Sequence, residues 1–120
     1  MLIAIESGKE VTAIPHAVKW AEWRSRLSDA QWSAIRDELT GRIGEGEVHT
    51  SGWIPGADWR GTPFQAIYED ACLGNAMAAG LCFGIVLWVV MMERPEKWSF
   101  GRYQLDNLPI RSMTYFRVHD

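Results

Sequence analysis

The segment from residue 49 to residue 64 reads HTSGWIPGADWRGTPF and concentrates side chains that could bind or react with another molecule. Its candidate residues are His49, Trp53, Asp58, Trp59 and Arg60. A histidine beside an aspartate could act as a general base with an orienting partner, which is the arrangement that proton transfer needs. The spacing alone does not bring His49 and Asp58 together, so the sequence indicates no assembled catalytic set.

Large aromatic rings beside an arginine indicate a second kind of chemistry, that of a binding surface. Trp53 and Trp59 lie beside Asp58 and Arg60, and tryptophan and arginine are among the residue types that dominate protein interfaces. Tyr68 follows closely and could add a third ring to the same surface. In the alternative interpretation, both indoles fold back and seal the end of the core, while Asp58 caps a turn. The sequence leaves both interpretations open.

Metal and nucleotide sites are not indicated. Cys72 and Cys82 lie ten residues apart with no histidine at ligand spacing, which favours buried, reduced thiols over a zinc site or a disulfide. The glycine-containing segments GRIGEG and GADWRG match neither of the standard phosphate-binding patterns. We therefore expect no cofactor and no metal.

The charge of the chain argues against nucleic acid as a partner. The formal net charge is −3, and acidic residues outnumber basic ones between positions 45 and 75. A nucleic-acid-binding domain normally has a clustered basic face and a high pI. We expect another protein as the partner, and neither nucleic acid nor a membrane.

The elements that must position these residues begin and end with strands. Alternating apolar residues predict an N-terminal hairpin of residues 2–5 and 11–14, with Gly8 in its turn. A short strand is predicted near residues 47–50. A C-terminal hairpin is predicted on either side of the segment DNLP.

Between the hairpins the apolar spacing changes to that of helices. Trp20, Trp23 and Leu27 share one face of a first helix, and Ser28 with Gln31 has the spacing of a capping box at the start of a second. The second helix has an apolar stripe of Trp32, Ile35, Leu39 and Ile43. A third helix is predicted to begin at Thr62-Pro63, with an apolar face formed by Phe64, Ile67 or Tyr68, and Ala71.

The long apolar run of residues 76–92 predicts a central helix, with Asn75 as its N-cap. At 1.5 Å per residue it would cover about 26 Å, short of the hydrocarbon core of a bilayer. We interpret it as a core helix. Small residues at Ala76, Gly80 and Gly84 would let another backbone approach. Because a helix that is apolar all round must be covered all round, we predict a homodimer through this helix.

Together these elements predict a single α+β domain over residues 1–120, in which about four helices pack on a small antiparallel sheet. The N-terminus lacks the pattern of a signal peptide, so we expect a cytoplasmic protein.

The function hypothesis is an interaction or regulatory domain that acts by binding another macromolecule. A related hypothesis is an inhibitor, encoded by a phage or mobile element, that blocks a host defence complex. The alternative is a small-ligand-binding domain or enzyme with a pocket of Trp53, Trp59 and Tyr68, in which His49 and Asp58 are the polar groups.

Overall fold

The computed structural model of the protein describes residues 1–4, 6–44, 46, 48–50, 59–101, 104–105, 108–109 and 113–119. For residues 48–50, 104–105 and 108–109 the description covers the backbone.

Helices in the middle of the chain pack on strands from both of its ends, which confirms the predicted α+β class. The strands are β1 (Leu2–Ile3), β2 (Glu10–Val11), β3 (Val48–Thr50), β4 (Trp98–Gly101), β5 (Gln104–Leu105), β6 (Leu108–Pro109) and β7 (Thr114–Arg117). The helices are α1 (Ala17–Ser25), α2 (Asp29–Ile43), a π-helical segment (Ile67–Ala71) and α3 (Ala76–Glu93). Among the described residues this gives the four helical elements that the sequence predicts.

The main sheet has five strands in the order β2-β1-β4-β7-β3, and β5 pairs with β6 as a separate ribbon. The N-terminal hairpin is antiparallel, as are the pairs β4–β7 and β3–β7. The pair β1–β4 is parallel, with Leu2 opposite Trp98, so the sheet is mixed and not wholly antiparallel as predicted. The helices between β2 and β4 form the long crossover that a parallel pair requires. The sequence predicts the hairpins from local turns, but nothing local in it predicts this distant pairing.

The capping box at the start of α2 is confirmed. The hydroxyl of Ser28 accepts a hydrogen bond from the backbone N–H of Gln31 at 3.0 Å, and the Gln31 side chain accepts one from the Ser28 N–H at 2.9 Å. The predicted apolar stripe of α2 is buried, as are Trp20 and Trp23 of α1. The rings of Trp20 and Trp32 lie 5.4 Å apart and join the two helices.

The C-terminal half of α3 packs against the sheet. The Trp88 ring lies 4.6 Å from that of Phe100 on β4 and 6.5 Å from that of Tyr115 on β7. Its indole N–H donates to the backbone carbonyl of Ala13 at 3.1 Å. The helix has a mean hydropathy of 2.0, and 56% of its residues are buried. Its length and composition would also suit a membrane span, although the core helix of a soluble protein passes the same test.

In place of the predicted third helix, the structure has a turn followed by a short π-helical segment. Thr62 caps a turn by accepting from the N–H of Phe64 at 3.2 Å, and a π-helical segment follows. The N–H of Cys72 donates to the carbonyl of Ile67 at 3.0 Å, which is the spacing of a π-helix. Of the predicted apolar face, Phe64, Ile67 and Ala71 are buried and Tyr68 is exposed.

The two cysteines are free and buried, as the sequence predicts. Cys72 directly follows the π-helical segment, and Cys82 lies in α3. Burial raises the pKa of both thiols, so both stay protonated at neutral pH. This protonation makes the pair unreactive as a nucleophile.

A charged pair follows the end of α3. Arg94 and Glu96 have side chains only 16% and 15% exposed, and the Arg94 guanidinium donates to the Glu96 carboxylate at 3.1 Å. These hydrogen bonds hold the pKa of Glu96 below its usual value. The ionised pair therefore stabilises the connection between α3 and β4.

Replacing Glu96 with glutamine should lower the free energy of unfolding at pH 7 by about 1–3 kcal/mol, because the hydrogen bonds lose their charge. Since folding lowers the pKa of Glu96, its ionised carboxylate stabilises the folded protein at pH values above the pKa that Glu96 has in the unfolded chain. The stabilisation is lost as the pH falls through the lower, folded value. Urea denaturation between neutral and acidic pH should therefore show a shallower acid loss in Glu96→Gln than in the wild type.

The matched control is Glu93→Gln, since Glu93 pairs with Arg36 at 2.7 Å on the surface. This exposed pair should contribute at most about 1 kcal/mol. Equal effects of the two substitutions at every pH would refute the role given to Glu96.

Candidate functional site

The structure brings three of the six predicted site residues together. The side chains of Trp59, Arg60 and Tyr68 line one groove. The backbone of His49 lies in β3, paired with Tyr115 of β7. Trp53 and Asp58 lie outside the described residues. The predicted pairing of His49 with Asp58 therefore stays a prediction.

The groove lies between the π-helical segment and the first turns of α3, and its volume is about 440 Å³. We call it the Trp59 groove. It is lined by Trp59, Arg60, Gln65, Tyr68, Glu69, Ala76, Ala79 and Gly80. The loop before the π-helical segment and the segment itself supply the large and polar side chains, whereas α3 supplies only small residues.

Trp59 combines the two roles that the sequence left open. Its ring lies 5.6 Å from that of Phe83 and 6.3 Å from that of Phe64, so one side of it seals the core. The indole is only half-buried, and it also lines the groove. Its carbonyl accepts hydrogen bonds from the Thr62 N–H and hydroxyl at 3.1 and 2.7 Å. Trp59 is therefore fixed in place before anything binds.

Polar groups at the groove are also held by hydrogen bonds. The Gln65 amide donates to the Glu69 carboxylate at 2.9 Å, and its oxygen accepts from the Gly61 N–H at 3.1 Å. Arg60 is exposed beside them. The groove therefore offers one basic and one acidic side chain next to two aromatic rings.

The small residues of α3 leave the α3 side of the groove open. Ala76 and Gly80 are exposed. A Cβ atom added at Gly80 would have no neighbour within 4 Å among the described residues, and the same holds for Gly84. Packing within the described part of the chain therefore does not require glycine at either position.

The N-terminal half of α3 also exposes large apolar side chains. Met77 is 82% exposed and Leu81 is 61% exposed. Leu73, in the turn before the helix, is 71% exposed and has a left-handed backbone with φ 52°. A bulky residue in this conformation is strained, so the turn holds Leu73 outward at an energetic cost. A second hollow of about 270 Å³ lies beside Met77 and Leu81.

Sequence reasoning identified the aromatic residues of the groove but missed Gln65, Glu69 and Ala79. Neither hydrophobic spacing nor a known pattern distinguishes these residues from ordinary helix positions. The glycine spacing did draw attention to Gly80, although for helix packing. The spacing could not show that one face of this uniformly apolar helix is exposed in its first turns.

No protein-family model, no curated protein and no solved structure matches the chain. The function must therefore be inferred from the side chains of the Trp59 groove and from the exposed part of α3.

Replacing Gly80 with alanine should raise the free energy of unfolding by about 0.5–1 kcal/mol, because alanine favours the helix and the added methyl group has room. Urea denaturation at low protein concentration measures this effect. The control is Gly74→Ala, which should destabilise because Gly74 has a φ of 80°. A destabilised Gly80→Ala variant would mean that another part of the chain packs on Gly80.

Proposed function

We propose that the protein is a small regulatory domain that acts by binding another protein through the Trp59 groove. The observation that carries this proposal is a preformed groove in which Trp59 and Tyr68 lie beside Arg60 and Glu69. Tryptophan, tyrosine and arginine are the residues most enriched among those that dominate binding energy. Because Trp59 is already fixed by the core, little conformational entropy is lost when a partner binds.

The groove suits a partner that presents one large apolar side chain with a charged neighbour. The open side formed by Ala76 and Gly80 lets a partner backbone come close to α3. An amphipathic helix that lies in a groove makes this kind of contact. The π-helical segment adds support, since π-helical turns are frequent at functional sites. A cytoplasmic location and an inhibitory role remain predictions from the sequence.

Site-specific crosslinking tests the proposed contact without disturbing the core. Tyr68 is exposed, so it can be replaced by the photoreactive amino acid p-benzoylphenylalanine, whereas a change at Trp59 would also remove core contacts. Irradiation of cells of the protein's own host should give an adduct with one distinct protein. Adding Arg60→Glu should reduce the yield of this adduct.

The control places the same photoreactive residue at Val18, which is 87% exposed and does not line the groove. This position should not give the adduct. The same adduct from both positions, or none from position 68, would contradict the proposal.

A small-molecule site is the second candidate function, and the volume of the groove favours it. About 440 Å³ lies within the range of ligand pockets, roughly 300–1,000 Å³. Trp59 and Tyr68 could stack on a planar ligand, while Arg60 or Glu69 could bind a charged group. Contributions from Trp53, His49 and Asp58 to such a pocket stay predictions.

Native mass spectrometry of protein purified from its own host separates the two functions. A bound small mass that disappears in Gly80→Leu would support the ligand site, because the leucine side chain would fill the groove. Gly41→Leu is the matched control, since Gly41 also lies on an exposed helix surface with no neighbour within 4 Å. Protein without any small mass, together with the Tyr68 adduct, would exclude this second candidate.

A further inference from the structure

We propose that the exposed face of α3 binds the same face of a second copy of the chain, with the two helices antiparallel about a two-fold axis. This face, which we call the α3 face, consists of Met77, Gly80, Leu81 and Gly84. The α3 face shares Gly80 with the Trp59 groove, whereas Met77 and Leu81 lie outside the groove, so substitutions at these two residues test the dimer separately from the groove.

The first support is that the α3 face is uncovered by the described part of the chain. Met77, Gly80 and Leu81 are exposed and Gly84 is half-buried. At 100° per residue these four positions share one side of the helix. The next turns of the same helix, around Leu87 and Met91, are fully buried. In its first turns the helix therefore buries one side, with Ala79, Cys82 and Phe83, and leaves the apolar α3 face uncovered by the described residues.

The second support is that the α3 face matches itself in shape. A two-fold axis that passes between residues 80 and 81 places Met77 over Gly84 of the second copy. It also places Leu81 over Gly80 of the second copy, where the absence of a glycine side chain lets the two helices approach closely. Each large side chain at the ends of the contact thus meets a glycine, as a self-complementary interface requires.

The third support is the area of the surface. Met77 and Leu81 of the α3 face and the adjoining Leu73 are 82%, 61% and 71% exposed. Together with the small residues between them they expose mostly apolar surface on the order of 500 Å², which is in the range of functional patches on monomers. Two copies would bury roughly 1,000 Å², about the minimum for a specific interface. Residues 76–92 contain no charged side chain, so two acidic copies would meet there without placing like charges in contact.

A second copy fits the α3 face better than a lipid surface does. Helices that lie on membranes usually carry lysine or arginine along their polar side to bind anionic lipids. The chain has a formal net charge of −3, and α3 itself contains no basic residue. Lys19 lines one hollow beside the α3 face and Arg60 lines the other, which does not amount to a basic stripe. A second copy presents the same uncharged, glycine-containing face, so its binding requires no row of basic residues.

Analytical ultracentrifugation over a wide concentration range tests the proposal. The wild type should shift from the chain mass of 13.6 kDa to twice that mass. Leu81→Lys should weaken dimerisation by about tenfold or more, because it places a charge in an apolar contact. Val18→Lys is the matched control, since it puts the same charge on an exposed valine outside the α3 face and should not change the dimer.

A swap of residue sizes tests the antiparallel register itself. Gly84→Met should weaken the dimer by about tenfold or more, because two methionines then compete for one space. The double variant Met77→Gly, Gly84→Met restores one large and one small residue at each contact, and it should recover most of the association. Circular dichroism of each variant verifies that it is folded.

A wild type that stays monomeric, or a dimer that Leu81→Lys does not affect, would overturn the proposal. If the double variant does not associate more strongly than Gly84→Met, the proposed antiparallel register is wrong.

Vesicles of phosphatidylcholine and phosphatidylglycerol test the alternative that the α3 face binds a lipid surface. Binding of a monomer to these vesicles, lost in Leu81→Lys, would replace the second copy with a lipid surface. The Tyr68 crosslink should persist in Leu81→Lys, so failure here and failure of the proposed function remain distinguishable.

Discussion

The need to remove a uniformly apolar helix from water dominates this structure. Every side of α3 is apolar, and burial of that surface is the main favourable contribution to folding. The sheet packs on its C-terminal half, where Trp88 lies against Phe100 and Tyr115 and where Leu87 and Met91 are fully buried. In the N-terminal half one side is buried, with Cys82 and Phe83, and the other side exposes Met77 and Leu81. This exposed face is where the chain can gain most from binding another molecule.

The segments around this exposed face are held by hydrogen bonds and ring contacts, which suits a preformed binding surface. The turn before α3 combines Leu73 and Gly74, both with positive φ, and Asn75 caps the helix by accepting from the Ala78 N–H at 3.0 Å. On the other side, Trp59 is held between the core rings and the Thr62 turn. Rigidity lowers the entropy lost on binding, so even a contact of modest area could be specific.

The sequence predicted most of the local structure, because local structure depends on neighbouring residues. The Ser28 capping box, the buried stripe of α2 and the Asn75 cap each follow from spacing within one or two turns. The parallel pair β1–β4 depends on contacts between Leu2 and Trp98, which no local pattern encodes. For the same reason the sequence placed Trp59 and Tyr68 in one candidate site but could not identify Ala76 and Gly80 as its other side. The π-helical segment was missed because its residues are also compatible with an ordinary α-helix.

Oxidative footprinting of the methionines tests the central claim most directly, since Met77 and Met91 lie on the same helix at opposite extremes of exposure. Met77 is 82% exposed and Met91 is fully buried. Hydroxyl radicals should oxidise Met77 rapidly in dilute protein and slowly in concentrated protein, where a second copy covers it, while Met91 stays protected in both. Protection of Met77 at every dilution would show that a single chain covers the first half of α3 itself. Equal oxidation of Met77 at every concentration would show that no second copy binds there.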